Sequence, residues 1–141
     1  MPFVSVTRLR VKSILYLIPF MRANEASVRE LLKSKGLIHG KELIDKKLTF
    51  WTVTLWKDET SMREFRGSTS HRNAMQKLPK WCNEASYHHW TQEDMEFPNW
   101  PTVSAKLFNE GKLSKVRNPS ESQITNQFPS IKWKKTERKI K

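Results

Sequence analysis

His71 is the residue best placed for chemistry among four histidines and a single cysteine. It follows Ser68-Thr69-Ser70, a run that caps helices, so the spacing places it in the first turn of one. An imidazole there can act as general base on a bound organic molecule, ligate a haem iron, or simply hydrogen-bond to nearby backbone. His88 and His89 are adjacent in an extended run, point to opposite faces and cannot share a metal ion. No His-x-x-x-His or His–carboxylate spacing occurs, so no metal site is expected. Cys82 alone makes neither a disulfide nor a cysteine-built metal site, and beside Trp81 it reads as a packed core thiol. Gly36, Gly40, Gly67 and Gly111 are scattered and build no phosphate loop.

The second candidate constellation lies on residues 48–56, the most strand-like stretch of the chain. Alternation puts Trp51, Val53 and Leu55 on one face, expected to sit under helices, and Phe50, Thr52, Thr54 and Trp56 on the other. Joined by Trp90, that second set makes an aromatic and hydroxyl-bearing surface. It suits a substrate pocket for a flat hydrophobic molecule, or the core of a dimer.

These residues need elements to hold them. Phe3–Leu9 reads as a strand. From Ser13 the apolar spacing turns helical, with Pro19 kinking the helix or delaying its start, and Gly36 closing it. Residues 37–44 form a second strand joined by the turn Asp45-Lys46-Lys47 to 48–56. Asp58 caps a helix that Gly67 ends, and Ser68, Thr69 or Ser70 caps another that Pro79 breaks. Residues 85–90 form a last strand, with Ala85, Tyr87 and His89 on one face and Ser86, His88 and Trp90 on the other. The order β-α-β-β-α-β is the ferredoxin-like α+β unit, an antiparallel sheet with helices on one face. Its other face is expected to be open, to carry Phe50, Trp56 and Trp90, and to be covered by a second copy, giving a homodimer.

Beyond Trp90 the pattern weakens. Residues 97–101 read as an extended aromatic–proline linker and 102–112 as a short helix. The domain is therefore set at 1–111, and 112–141 is expected to be a disordered basic tail. That tail holds nine Lys and Arg against two Glu, a net of +7 out of the chain's +12. It could contact nucleic acid or an anionic surface, although a solvated tail is the preferred reading. Phe128, Ile131 and Trp133 are the side chains in it that could dock on a partner. Ile14–Phe20 is a short apolar run interrupted by Pro19, below the roughly 20 residues of a membrane span, and no signal peptide is read. A soluble, cytoplasmic protein is expected.

The segment from Phe50-Trp51-Thr52-Val53-Thr54-Leu55-Trp56 through Met62-Arg63-Glu64-Phe65, Ser70-His71-Arg72-Asn73-Ala74-Met75 and Trp81-Cys82-Asn83-Glu84 carries a resemblance. It is similar to the spheroidene monooxygenase-like and antibiotic-biosynthesis-monooxygenase-like proteins, over roughly residues 3–91. The resemblance implies a dimeric α+β barrel, and His71 matches the histidine of that motif. Members of the superfamily include cofactor-free oxygenases, haem-binding enzymes and proteins without a known reaction. The implied activity is that of a monooxygenase-like oxidoreductase acting on a small hydrophobic organic substrate between sheet and helices, using haem or no cofactor. The alternative is a non-catalytic dimer that binds a ligand or serves structure, with the basic tail on an anionic partner. The tail from Lys112 has no counterpart in the resemblance.

Overall fold

The computed structural model describes residues 1–132 and 135–141. Strand β1 spans Phe3–Val11, followed by a 3-10 turn Ile14–Tyr16 and helix α1 over Leu17–Lys33. Strands β2 (Leu37–Asp45) and β3 (Thr49–Trp56) form a hairpin. Helices α2 (Glu59–Arg66) and α3 (Thr69–Trp81) lead into β4 (Cys82–Thr91), then α4 (Trp100–Glu110). Three short elements follow: β5 (Lys112–Leu113), α5 (Glu121–Thr125) and β6 (Arg138–Lys139). The sheet runs β5-β4-β1-β3-β2-β6 with every pairing antiparallel. Its inner four strands and α1–α3 are the ferredoxin-like unit of the α+β class.

Local chemistry accounts for the boundaries. Ser13 accepts from the Leu15 amide and starts the 3-10 turn. The α-helix proper begins at Leu17, which leaves Pro19 in the first turn, where its missing N–H has no intrahelical partner to lose. Asp58 caps α2 by accepting from the Ser61 amide at 2.8 Å, and Gly67 ends it. Gly36 does more than close α1, because a Cβ there would run into Ser61 of α2. Pro79 does not break α3, which continues to Trp81. It lies within the last turn, and the carbonyls there are taken up from outside, Pro79 O by the Arg117 amide and Trp81 O by the Lys12 amide.

Two helical layers cover the sheet. Register pairs Phe3, Ser5, Thr7 and Leu9 of β1 with Trp56, Thr54, Thr52 and Phe50 of β3 on one face. That face packs under α1–α3: Phe50 meets Phe20 with ring centroids 4.6 Å apart, and Trp56 meets Phe65 at 5.7 Å. The opposite face, with Val4, Val6, Trp51, Val53 and Leu55, packs on Trp100, Val103 and Leu107 of α4. The strand parity holds, but the helix layer expected over Trp51 belongs to the Phe50 face. Both faces of β3 are buried, so amphipathicity does not tell which layer lies where.

The open face expected to need a twin is therefore absent from the described residues. Trp56 is wholly buried within one chain, and α4 with partly buried Ile131 covers the other side. The physical reason offered for a homodimer does not apply to this chain. The expected linker is also corrected: Asn99 caps α4 by accepting from the Thr102 amide, so Trp100 and Pro101 are already helical.

The segment expected to be a disordered tail is laid along both sheet edges. β5 pairs with β4 and β6 with β2. Gln123 is buried, its Oε1 accepting from the Ala85 amide and its Nε2 donating to the carbonyls of Ala85 and Ser114. Thr136 exchanges hydrogen bonds with the Ile44 backbone. Trp133, expected as a docking residue, lies outside the described residues. Among those residues, no helix is long and apolar enough to cross a membrane.

Candidate functional site

A cavity of about 350 Å³ lies between the sheet and α1–α3. β1 and β3 supply a floor of hydroxyls, Ser5, Thr7, Thr52 and Thr54, because those residues alternate onto one face and pair across the strands. Phe20 and Leu31 of α1, Met62 and Phe65 of α2, and Leu78 and Trp81 of α3 form apolar walls. The helical side is not wholly apolar, since Asn24 and Ser27 of α1, Arg66 of α2 and His71 of α3 also line it, so a ligand would meet polar groups on the floor and at a few points of the walls. The cavity's size lies at the small end of the roughly 300–1,000 Å³ common for ligand sites.

Trp56 also lines the cavity, and its indole Nε1 donates to Thr54 Oγ1 at 2.8 Å. Phe65 stands against Trp56 and, at 5.0 Å between centroids, against His71. The ring series Trp56–Phe65–His71 ties the first turn of α3 to the sheet floor. His71 lines the cavity, and its Nδ1 lies 3.1 Å from the Arg66 carbonyl oxygen. A carbonyl only accepts, so Nδ1 carries the proton and Nε2 keeps its lone pair. Burial pulls the imidazole below its ordinary pKa; the hydrogen bond to Arg66 opposes that, and the Arg66 charge adds to it. His71 is thus a neutral imidazole with an acceptor nitrogen, the form a general base or an iron ligand requires.

Of the residues singled out in the sequence, Thr52, Thr54, Trp56 and His71 meet around this cavity, while Phe50 and Trp90 do not line it. Phe50 is taken up by the contact with Phe20 in the neighbouring apolar cluster. Trp90 is opposite Val4 in the register and faces α4, with His88 stacked at 5.5 Å and Lys106 over its ring. The alternation along β4 itself separates Trp90 from His89, so the assignment of Trp90 to the Trp56 face is corrected.

The cavity also brings in Arg66, Tyr87 and His89, which are not among the residues expected there from the sequence. Ser5 and Thr7 pair with His89 and Tyr87, so the signal was available once β4 was set beside β1. His89 stacks on Tyr87 at 6.0 Å, and burial, followed by the Arg66 charge, lowers its pKa. Cys82 is buried, and burial pushes its thiol up to about 12, which removes it as a nucleophile at neutral pH. Among the described residues no group of three His, Cys, Asp or Glu is arranged to hold a metal ion.

Neither a family model nor any curated protein sequence matches this chain. Solved structures do share its fold. A conserved protein from Methanosarcina mazei superposes with a TM-score of 0.58 at 18% identity, over 66% of this chain and 94% of that one. SnoaB, a cofactor-independent oxygenase from Streptomyces nogalater, gives 0.56 at 13% identity, over 70% and 98%. An antibiotic biosynthesis monooxygenase gives 0.57 at 6% identity, over 65% and 99%. The fold is that of the antibiotic-biosynthesis-monooxygenase-like proteins, with about a third of this chain lacking a counterpart in them.

Proposed function

We propose that this chain is a monooxygenase-like oxidoreductase acting on a small, flat, hydroxyl-bearing hydrophobic substrate in the cavity between the sheet and α1–α3. The observation that carries the reading is the pairing of a hydroxyl floor with a neutral His71 whose Nε2 is an acceptor. In this reading Thr52 holds the substrate's oxygen, Thr54 and Trp56, bonded to each other, back that floor, and His71 Nε2 takes a proton from an acidic C–H or O–H. The anion so formed supplies the electrons: with dioxygen as co-substrate, an activated methylene becomes a carbonyl and one water leaves. No external reductant is then required. His71 would equally fit a haem iron through Nε2, with Nδ1 anchored on a carbonyl as such ligands usually are.

Fused-ring phenols that carry an activated ring methylene, followed by tryptophan fluorescence and oxygen uptake, test this. The expected result is binding by the wild type, oxygen uptake, and loss of uptake with retained binding in His71→Ala. Binding without uptake in any preparation favours the non-catalytic ligand-binding reading, and absence of both overturns the proposal. A Soret band on addition of haem that vanishes in His71→Ala assigns the histidine to iron instead.

A further inference from the structure

The outer surface of the α1–α3 layer carries apolar side chains that no described part of the chain covers. Ile14, Leu15 and Ile18 are 75%, 81% and 64% exposed, and Met21, Leu32 and Met75 are exposed on the same two helices. Ile18 and Met21 are three residues apart on α1, and Ile14 and Leu15 stand in the 3-10 turn that leads into it. Apolar patches rimmed by polar groups mark interaction sites.

The rim here is cationic. Between Lys12 and Lys35 stand five Lys and Arg and two acids, Glu25 and Glu30, and Glu25 is already bonded to Arg138 at 2.7 Å. α3 adds exposed Arg72, Lys77 and Lys80 and contains no Asp or Glu. Charge and apolarity together select the partner. A second copy, itself at +12, would bring like charge to this face. Nucleic acid would match the cations and leave Ile14, Leu15 and Ile18 in water. An anionic bilayer matches both, with the apolar side chains at the acyl boundary and the Lys and Arg among headgroups.

We propose that the outer face of α1 and α3 is a docking surface for anionic lipid bilayers, seated by Ile14, Leu15 and Ile18. The same two helices line the cavity, and Met75 of α3 both lines it and is exposed. A lipophilic molecule would thus pass from bilayer to cavity without crossing bulk water. The docking surface stands on its own residues and does not depend on the reaction assigned to His71.

Sedimentation of the full chain with vesicles of phosphatidylcholine, with and without phosphatidylserine, tests it. The wild type is expected to sediment with the phosphatidylserine vesicles at about 0.1 M salt and to be released at about 0.5 M. Ile14→Ser/Leu15→Ser/Ile18→Ser is expected to weaken that binding roughly tenfold or more, with circular dichroism and melting temperature unchanged because all three side chains are exposed. Arg22→Gln/Arg29→Gln is expected to weaken it as well. Wild type remaining in the supernatant, or the triple variant binding as tightly as wild type, overturns the proposal. So does a wild-type dimer that the triple variant converts to monomer, or a need for the three side chains only in binding an acidic protein.

Discussion

The Nδ1 of His71 stands 3.1 Å from the carbonyl oxygen of Arg66, five residues back across the α2–α3 junction. That contact fixes the tautomer, and burial holds the ring below its ordinary pKa of about 6.5. The unfolded chain therefore takes up this proton at a higher pH than the folded one. The sign follows: stability from His71 is fully present above about pH 6.5 and is lost as pH falls toward the folded-state pKa. Proton NMR of the imidazole should show His71 titrating below the free-histidine value. His71→Gln should flatten the acid side of the stability profile.

Trp56 donates its indole N–H to Thr54 Oγ1 while wholly buried. Thr54→Val keeps the shape and removes the acceptor, leaving a buried donor unpaired, at a cost of about 1–3 kcal/mol. Trp56→Ala should cost more, about 3–5 kcal/mol, through the void it leaves. Urea unfolding measures both. Because Trp56 is covered within one chain, its loss is expected to lower stability without altering the oligomeric state measured by light scattering.

The buried Arg8–Glu84 pair is a third test. Arg8 Nη1 donates to Glu84 at 2.7 Å, and Arg10 and Ser120 complete the carboxylate's partners. Burial would raise the Glu84 carboxyl, but hydrogen bonds from Arg8, Ser120 and Arg10 and the Arg8 charge hold it below its usual value. Its contribution is present above the ordinary Glu pKa and is lost as pH falls below it. Glu84→Ala leaves buried Arg8 uncompensated and should cost about 3–5 kcal/mol in chemical denaturation. Arg8→Met/Glu84→Leu should recover much of that loss.

The inner fold was legible because β1 to β4 alternate, Asp58 caps α2, Ser13 starts the turn that leads into α1, and Ser68-Thr69-Ser70 marks the start of α3. The parity that separated Trp51 from Trp56 was legible for the same reason. What covers each face was not. β3 is apolar on both sides, and α4 looked like a terminal helix rather than a second layer, although Trp100, Val103 and Leu107 form its core stripe. Trp90 misled because it is aromatic, while its parity sets it apart from His89. The final segment holds to the sheet through Gln123, Ser120 and Thr136, polar side chains whose partners are backbone atoms and a carboxylate distant in sequence. No hydropathy pattern marks such bonds.

Gln123 gives the last prediction. Its amide accepts from the Ala85 N–H and donates to the Ala85 and Ser114 carbonyls, as a neighbouring strand would. It thereby closes the β4 edge next to the short β5 pairing at Ser86 and Tyr87. Gln123→Ala leaves the Ala85 amide without that acceptor and should cost about 1–3 kcal/mol. Gln123→Glu keeps the acceptor and loses the two donated bonds, so a carboxylate would face two carbonyls. It should destabilise at least as much at neutral pH and recover in part as the acid is protonated. Hydrogen exchange at Ala85 reads the difference directly: its amide should become faster in Gln123→Ala, which removes its acceptor, and less so in Gln123→Glu, which keeps it, while amides in the β1–β3 pairing remain protected.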